Sequence, residues 1–270
     1  MDEFKGRVAV VTGGGGGIGA AMAEAFAARG ARLVLADLQL DAAEAVAARL
    51  RAGGAEAVAV RTDVTARDAV EALAAETVRR FGAVHIVCNN AGVATFGEIA
   101  TATHADWEFT MRVNFWGVVH GVEAFLQRLL AQGQGGHIVN TASMAGLVGM
   151  QWLGIYSASK FAVVGLTEAL HRELKPHGIG ASVLCPMIVA TNINENSVTR
   201  RPAELRNPGE AVIPEAAGMV GSTIAPEEVA RRVVRAIERK DLYVLTHPEQ
   251  REILKRRWTR QDRMFDPDVW

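Results

Sequence analysis

The sequence predicts an α/β fold, a doubly wound parallel sheet of about seven strands in one domain over residues 1–270. Two observations carry that expectation. Short β-branched runs alternate with longer alanine-rich helical stretches along almost the whole chain. The short runs are apolar throughout rather than at every second position, as strands covered by helices on both faces must be.

Val8-Ala9-Val10-Val11 opens the series as a strand, and residues 20–29 follow as a helix. Strands at 33–36, 57–60 and 84–88 alternate with helices at 41–51 and 67–81. Right-handed crossovers wind such units onto both faces of one sheet. Further on, 105–131 reads as one long helix and 137–140 as a strand. Residues 155–175 read as a helix closed by Pro176 and Gly178, and 181–185 as a strand stopped by Pro186. Periodicity fades over 187–225, which holds Pro202, Pro208, Pro214, Gly209, Gly218 and Gly221. Such a stretch is a substrate or lid loop, or else disordered. A helix at 226–239, a strand at 242–245 and a tail over 246–270 complete the chain, with no repeat and no dividing linker.

Composition removes several function classes. The net charge is −1, from 29 basic and 30 acidic side chains, which gives no concentrated basic surface of the kind nucleic acid requires. No apolar run is long enough to cross a bilayer and no signal segment is evident, so a cytoplasmic protein without membrane partners is expected. The two cysteines, Cys88 and Cys185, lie in apolar strand runs and read as buried thiols, not as a disulfide or metal ligands; no metal site is expected.

Thr12-Gly13-Gly14-Gly15-Gly16-Gly17-Ile18-Gly19 stands between the first strand and the first helix. Glycines there allow a tight turn and let the backbone approach a pyrophosphate, which the helix N-terminus favours with free N–H groups and its positive dipole end. A flexible linker is the other reading, and its placement between strand and helix counts against it. Asp37 ends the second strand 18 residues beyond Gly19. A carboxylate there accepts the ribose hydroxyls of an adenosine and repels a 2′-phosphate, although strand-end turns also favour aspartate for their own sake. No Lys or Arg occupies the glycine loop or positions 38–40. A Rossmann-type site preferring NAD over NADP is expected.

Tyr156 and Lys160 stand four apart at the start of a helix, so their side chains share a face. Ser143 follows a strand end, where α/β enzymes place their ligands. Asn114 falls inside the long helix, where asparagine is a poor helix former. Taken singly these are a turn serine, a solvated asparagine and a surface lysine.

Together with the glycine run and Asn89-Asn90-Ala91-Gly92, they resemble the short-chain dehydrogenase/reductase family, in order from about Lys5 to Leu245. The thirteen-residue spacing from Ser143 to Tyr156 fits as well. The resemblance implies that Tyr156 is the general acid/base of hydride transfer between NAD(H) and a secondary alcohol or ketone. It implies that Lys160 lowers the phenol's pKa and holds the nicotinamide ribose. Ser143 would bind the substrate oxygen and Asn114 would anchor a water in a proton relay. Gly13, Gly17, Ile18, Gly19, Asp37, Asp63, Val64, Asn90, Val189 and Thr191 would contact the cofactor along with Tyr156 and Lys160. Homodimers or homotetramers built on the helices at 105–131 and 155–175 are implied too.

One departure is Pro186-Met187, where the family commonly has Pro-Gly. Methionine adds an adaptable apolar wall near the reacting centre. Candidate pocket residues are Ser143, Met144, Ala145, Leu147, Met150, Trp152, Met187 and Ile193. They suggest a hydrophobic, aryl or cyclic alcohol, with core packing as the alternative for several of them. The tail, with Arg251, Lys255, Arg256, Arg257, Arg260 and Arg263 beside Ile253, Leu254, Trp258, Met264 and Phe265, reads as a solvated helix with an apolar stripe, or as a basic docking surface for an acyl carrier. Two alternatives remain: a 3-oxoacyl-carrier reductase, against which Asp37 counts, and a catalytically silent NAD-binding regulator, against which the full Asn114, Ser143, Tyr156 and Lys160 set counts.

Overall fold

Alternate residues of the first strands point to opposite faces and are buried on both. Ala9, Val11, Leu33 and Leu35 enter one core with Met22, Phe26, Val46, Val233 and Ile237. Val8, Val10 and Val34 enter a second with Val70, Leu73, Phe125, Leu129 and Leu170. A strand buried on both faces cannot alternate in polarity, which accounts for the apolar runs. The computed structural model describes residues 4–207 and 221–267.

The chain runs β1 (Val8–Thr12), α1 (Gly17–Ala27), β2 (Arg32–Asp37), α2 (Leu40–Ala52), β3 (Ala57–Arg61), α3 (Arg67–Phe81) and β4 (Ile86–Asn89). It continues with α4 (His104–Met111), α5 (Gly117–Gln132), β5 (Gly136–Thr141), α6 (Gly154–Leu174) and β6 (Ile179–Cys185). Then come α7 (Ile193–Thr199), α8 (Pro226–Arg239), β7 (Tyr243–Leu245) and α9 (Arg251–Asp262). The sheet has seven parallel strands in the order β3-β2-β1-β4-β5-β6-β7. Winding reverses between β1 and β4, so a crevice opens at their carboxyl ends, where open α/β sheets bind ligands.

Three expectations change. The helix expected over 105–131 is two helices, α4 and α5, joined by a π-helical turn over Arg112–Trp116 that contains Asn114. Helix α1 starts at Gly17 rather than Ala20, because the glycine run itself supplies the first turn. The stretch expected to be irregular over 187–225 contains α7, a short 3₁₀ turn at Ala203–Leu205 and a bridge between Val189 and Ile224; its positions 208–220 lie outside the described residues. The tail forms the expected helix, α9, with no buried residue, and Trp258 and Phe265 are exposed. Both cysteines are free and buried.

Candidate active site

The glycine loop is a cradle that side chains would fill. Gly13 and Gly17 have φ of 66° and 51°, the left-handed region that favours glycine. A Cβ on Gly19 would lie 2.1 Å from the Gly13 carbonyl oxygen, and one on Gly17 would lie 3.1 Å from the Thr191 side chain. No side chain caps the start of α1, and no acid sits in its first turn. Its amide N–H groups are therefore available to an anion. The neighbouring loop is tied down by Thr12, whose hydroxyl oxygen accepts from the N–H groups of Asn90 (2.9 Å) and Ala91 (3.1 Å). The Asn90 amide donates to the Thr12 carbonyl at 3.1 Å.

Asp37 is 6% exposed. One carboxylate oxygen accepts from Gly15 N–H at 3.0 Å and the other from Gln39 N–H at 3.0 Å. Asp63 and Val64 line the same end of the crevice. The cradle, the free helix terminus and the carboxylate fit an adenine dinucleotide: a pyrophosphate at the glycines and a ribose at Asp37.

The reactive groups gather where β5, α4–α5 and α6 meet. Lys160, 3% exposed, donates from Nζ to the Thr141 carbonyl at 2.9 Å and lies 5.6 Å from the centroid of the Tyr156 ring. Burial lowers its ammonium to about 8. Asn114 is fully buried. Its side-chain oxygen accepts from Val93 N–H at 2.9 Å, and its amide donates to the Val93 carbonyl (2.9 Å) and the Ser159 hydroxyl (3.1 Å). The π turn delivers this side chain out of the helical ladder, as such single turns do at functional sites. Between Asn114 and Lys160 stands Gly92, whose Cβ would lie 3.3 Å from Asn114 Oδ1 and 3.5 Å from Lys160 Nζ. Glycine leaves that gap free for a small polar molecule. Ser143 Oγ accepts from Ala145 N–H at 3.1 Å and donates to the Pro186 carbonyl at 3.3 Å.

The lowering of the Tyr156 pKa expected from Lys160 does not occur here. Burial pushes the phenol above its ordinary value, while a hydrogen bond with Ser143 acts in the opposite sense.

A single cavity of about 760 Å³ is lined by Gly13, Gly17, Ile18, Asp37, Asn90, Ser143, Tyr156, Lys160, Val189 and Thr191. Asn114 stands behind it, fully buried and outside its lining. The cavity is large enough for a drug-sized ligand and more. Positions 7–202 match the family profile described as short chain dehydrogenase. The chain belongs to the short-chain dehydrogenase/reductase family. It is similar to a C alpha-dehydrogenase of Sphingobium sp. strain SYK-6, 35% identical over 95% of this chain and 85% of that protein. It is also similar to a CLA biosynthesis dehydrogenase/reductase of Lactiplantibacillus plantarum, 31% identical over 100% of this chain and 98% of that protein. Among solved structures, a short-chain dehydrogenase/reductase of Burkholderia phymatum in complex with NAD superposes with a TM-score of 0.90 at 40% identity, covering 99% of this chain and 98% of that one. The protein is thus an oxidoreductase of alcohol and ketone groups that uses a nicotinamide cofactor.

Within this family member, the substrate end departs from expectation. Ser143, Ala145, Met150, Met187 and Ile193 line the cavity, but Met144, Leu147 and Trp152 do not. Met144 is fully buried, and Leu147 packs against the cluster of Val118, Val163 and Val183. Trp152 adopts φ 64° in a turn whose carbonyl accepts from Gly97 N–H at 2.8 Å. The residues that complete the apolar wall, Val93, Phe96, Phe109 and Leu153, were missed. They lie in or beside α4 and in the turn before α6, and only the tertiary fold brings them to the reacting groups. Arg200 was missed as well. It reaches Asp37 from 163 positions away in sequence, with Nη1 3.6 Å from Oδ1. Met187 joins the wall while its N–H donates to His247 Nδ1 at 3.3 Å. Among the described residues, no helix is long and apolar enough to cross a membrane, and no cluster of three metal-ligating side chains occurs.

Proposed function

We propose that the protein interconverts a hydrophobic secondary alcohol, aryl or cyclic, and its ketone, with NAD(H) as cofactor and Tyr156 as general acid/base. One observation carries the reading: the phenol of Tyr156, the ammonium of Lys160, the hydroxyl of Ser143 and the carboxylate of Asp37 line one continuous cavity whose far end is apolar. Gly13, Gly17, Ile18 and Gly19 hold the pyrophosphate, Asp37 the adenosine ribose, Asp63 and Val64 the adenine. Asn90, Val189 and Thr191 flank the nicotinamide half. The bound nicotinamide supplies the acceptor or donor of hydride, a chemistry that belongs to the cofactor.

The chain handles the proton. In reduction Tyr156 gives its phenolic proton to the carbonyl oxygen; in oxidation it takes the hydroxyl proton. Ser143 donates to the same substrate oxygen, stabilising it as charge develops, after releasing its weak 3.3 Å bond to Pro186. Lys160, with a pKa lowered to about 8, exchanges protons near neutrality and passes them toward Asn114 across the gap at Gly92. Because burial raises the phenol, oxidation accelerates with pH above neutrality. The wall of Phe96, Phe109, Met150, Leu153 and Met187 excludes water and favours apolar substrates. We also propose a homodimer or homotetramer, with the half-exposed Trp116 between α4 and α5 at a contact; sedimentation velocity measures this.

NADH formation by the purified protein with aliphatic, cyclic, aryl and steroidal secondary alcohols tests the reading. Turnover of apolar alcohols with NAD⁺ is expected, falling about 10²–10⁴-fold in Tyr156→Phe while NADH binding is retained. Turnover that survives the substitution sinks the mechanism, and a preference for NADP⁺ sinks the assignment of Asp37.

A further inference from the structure

Asp37 does not act alone at the adenosine end. Arg200, at the end of α7, sends its guanidinium back across the crevice. Nη1 stands 3.6 Å from Asp37 Oδ1, and Nη2 donates to Gln39 Oε1 at 3.2 Å. The first distance is an ion pair without a hydrogen bond, so the guanidinium compensates the carboxylate yet keeps donors to offer. Leu38 occupies the position after Asp37, and the other arginine lining this end, Arg49, is paired with Glu24 at 3.1 Å. Of the two arginines that line this end of the cavity, Arg200 is thus the one in contact with Asp37.

We infer that Arg200 is a second determinant of cofactor choice, the cation that would receive a 2′-phosphate, and that Asp37 holds this potential in check. The inference rests on the reading of Asp37 as the acceptor of the adenosine ribose hydroxyls. Asp37 repels a 2′-phosphate and draws off the charge of Arg200. Replace the carboxylate by a neutral amide, and the guanidinium faces the phosphate with its charge uncompensated. Because Arg200 follows directly on α7, the substrate loop itself reads the far end of the cofactor.

The test uses calorimetric affinities of the full chain for 5′-AMP and adenosine 2′,5′-bisphosphate, supplemented by NAD⁺ and NADP⁺, in wild type, Asp37→Asn, Arg200→Gln and the double variant. The ratio of the two adenosine nucleotides isolates the 2′-phosphate and cancels general effects on the site. Asp37→Asn is expected to shift that ratio toward the bisphosphate by tenfold or more, about the effect of one charge-assisted contact. In the double variant most of that gain is lost, while Asp37→Asn combined with Arg200→Lys retains part of it. A gain of equal size with glutamine at 200 overturns the inference and leaves the NAD reading standing. A wild type that already prefers the bisphosphate, with the preference lost in Arg200→Gln, defeats the reading of Asp37 and upholds that of Arg200.

Discussion

The cofactor side and the substrate side of the cavity are held by different means. On the cofactor side tight backbone packing is joined by side chains of the adjoining strand ends: Gly14 N–H donates to the Ala36 carbonyl at 3.1 Å, Gly19 has no room for a Cβ, and Thr12, Asp37 and Asn90 bond to the loops beside them. On the substrate side, residues 193–207 are held by side chains of another segment. Asp106 of α4 pairs with Arg201 at 2.7 Å and accepts from the Asn207 amide at 2.9 and 3.0 Å. Ser197 accepts from Ala94 N–H at 2.7 Å, and Leu205 packs with Val93 and Phe109. A steric requirement within one continuous run leaves little freedom to vary. A set of side-chain pairs across 95 to 103 positions can be exchanged piece by piece, so it suits the part of an enzyme that selects substrates.

The largest expected effect separates the two sides by rigidity. Gly19→Ala forces a Cβ to 2.1 Å from the Gly13 carbonyl oxygen and 2.8 Å from the Asn90 amide. Because the first obstacle is backbone, the loop must deform, at a cost of about 3 kcal/mol or more. Gly16→Ala is the control: its φ of −178° suits any residue, and a Cβ there meets nothing within 4 Å. Urea melts should show the first variant destabilised and the second nearly unchanged, and NADH fluorescence should show the first unable to bind. Equal behaviour of the two variants contradicts the steric account.

Asp106→Ala tests the other side. Burial alone would raise this carboxyl, yet hydrogen bonds from Thr103, Arg201 and Asn207 hold it below its usual value. Removing it strands Arg201, whose side chain is only 14% exposed. Stranding a largely buried cation costs on the order of 3 kcal/mol, and here the loss should stay local to the loop. Amide exchange over 193–207 is expected to accelerate about a hundredfold, which is the same free energy expressed as a rate. KM for substrate rises, while NADH affinity and the urea midpoint hold. A global loss of stability without local exchange would show that this anchor belongs to the core.

Legibility follows the same division. The sheet, its winding and the cofactor cradle could be read from the sequence because they depend on local patterns: apolar runs, a glycine run after a strand, and an acid at the next strand's end. Tyr156 and Lys160 were legible because one helical turn places them together. Phe109 and Arg200 were not, since nothing near either residue signals the cavity it enters. Trp152 was read as a pocket residue on chemical character alone, and its backbone conformation turns it into a loop element instead. Asn114 was noticed as a misfit in a helix, and the π turn explains the misfit.

The smallest effect concerns neither side of the cavity but the opposite end of the sheet, where the strands begin. His137 lies at the amino end of β5, 2% exposed. The Ser182 hydroxyl donates to the Asp241 carbonyl, so the 2.8 Å contact from His137 Nε2 is a donated bond, and Nδ1 carries no proton. Nδ1 packs so closely on Gly180 that a Cβ there would lie 2.3 Å away. Burial, with smaller contributions from Lys240 and His171, lowers its pKa to about 3. The unfolded chain protonates this ring near its ordinary value of about 6.5, whereas the folded protein keeps it neutral. Above that pH the ring makes no pH-dependent contribution. Below it the unfolded state binds the extra proton, and stability falls by about 1.4 kcal/mol per pH unit until the folded ring titrates as well. Wild type should therefore lose about 2 kcal/mol between pH 6.5 and 5 from this ring alone, before most carboxylates titrate. Urea melts of wild type and His137→Gln at pH 7 and pH 5 isolate the contribution. A stability difference that narrows at the lower pH is expected, and one that is equal at both would mean that the ring titrates freely in the folded protein. NADH affinity per folded molecule should be the same at both pH values, since the amino end of β5 is remote from the glycine loop and Asp37.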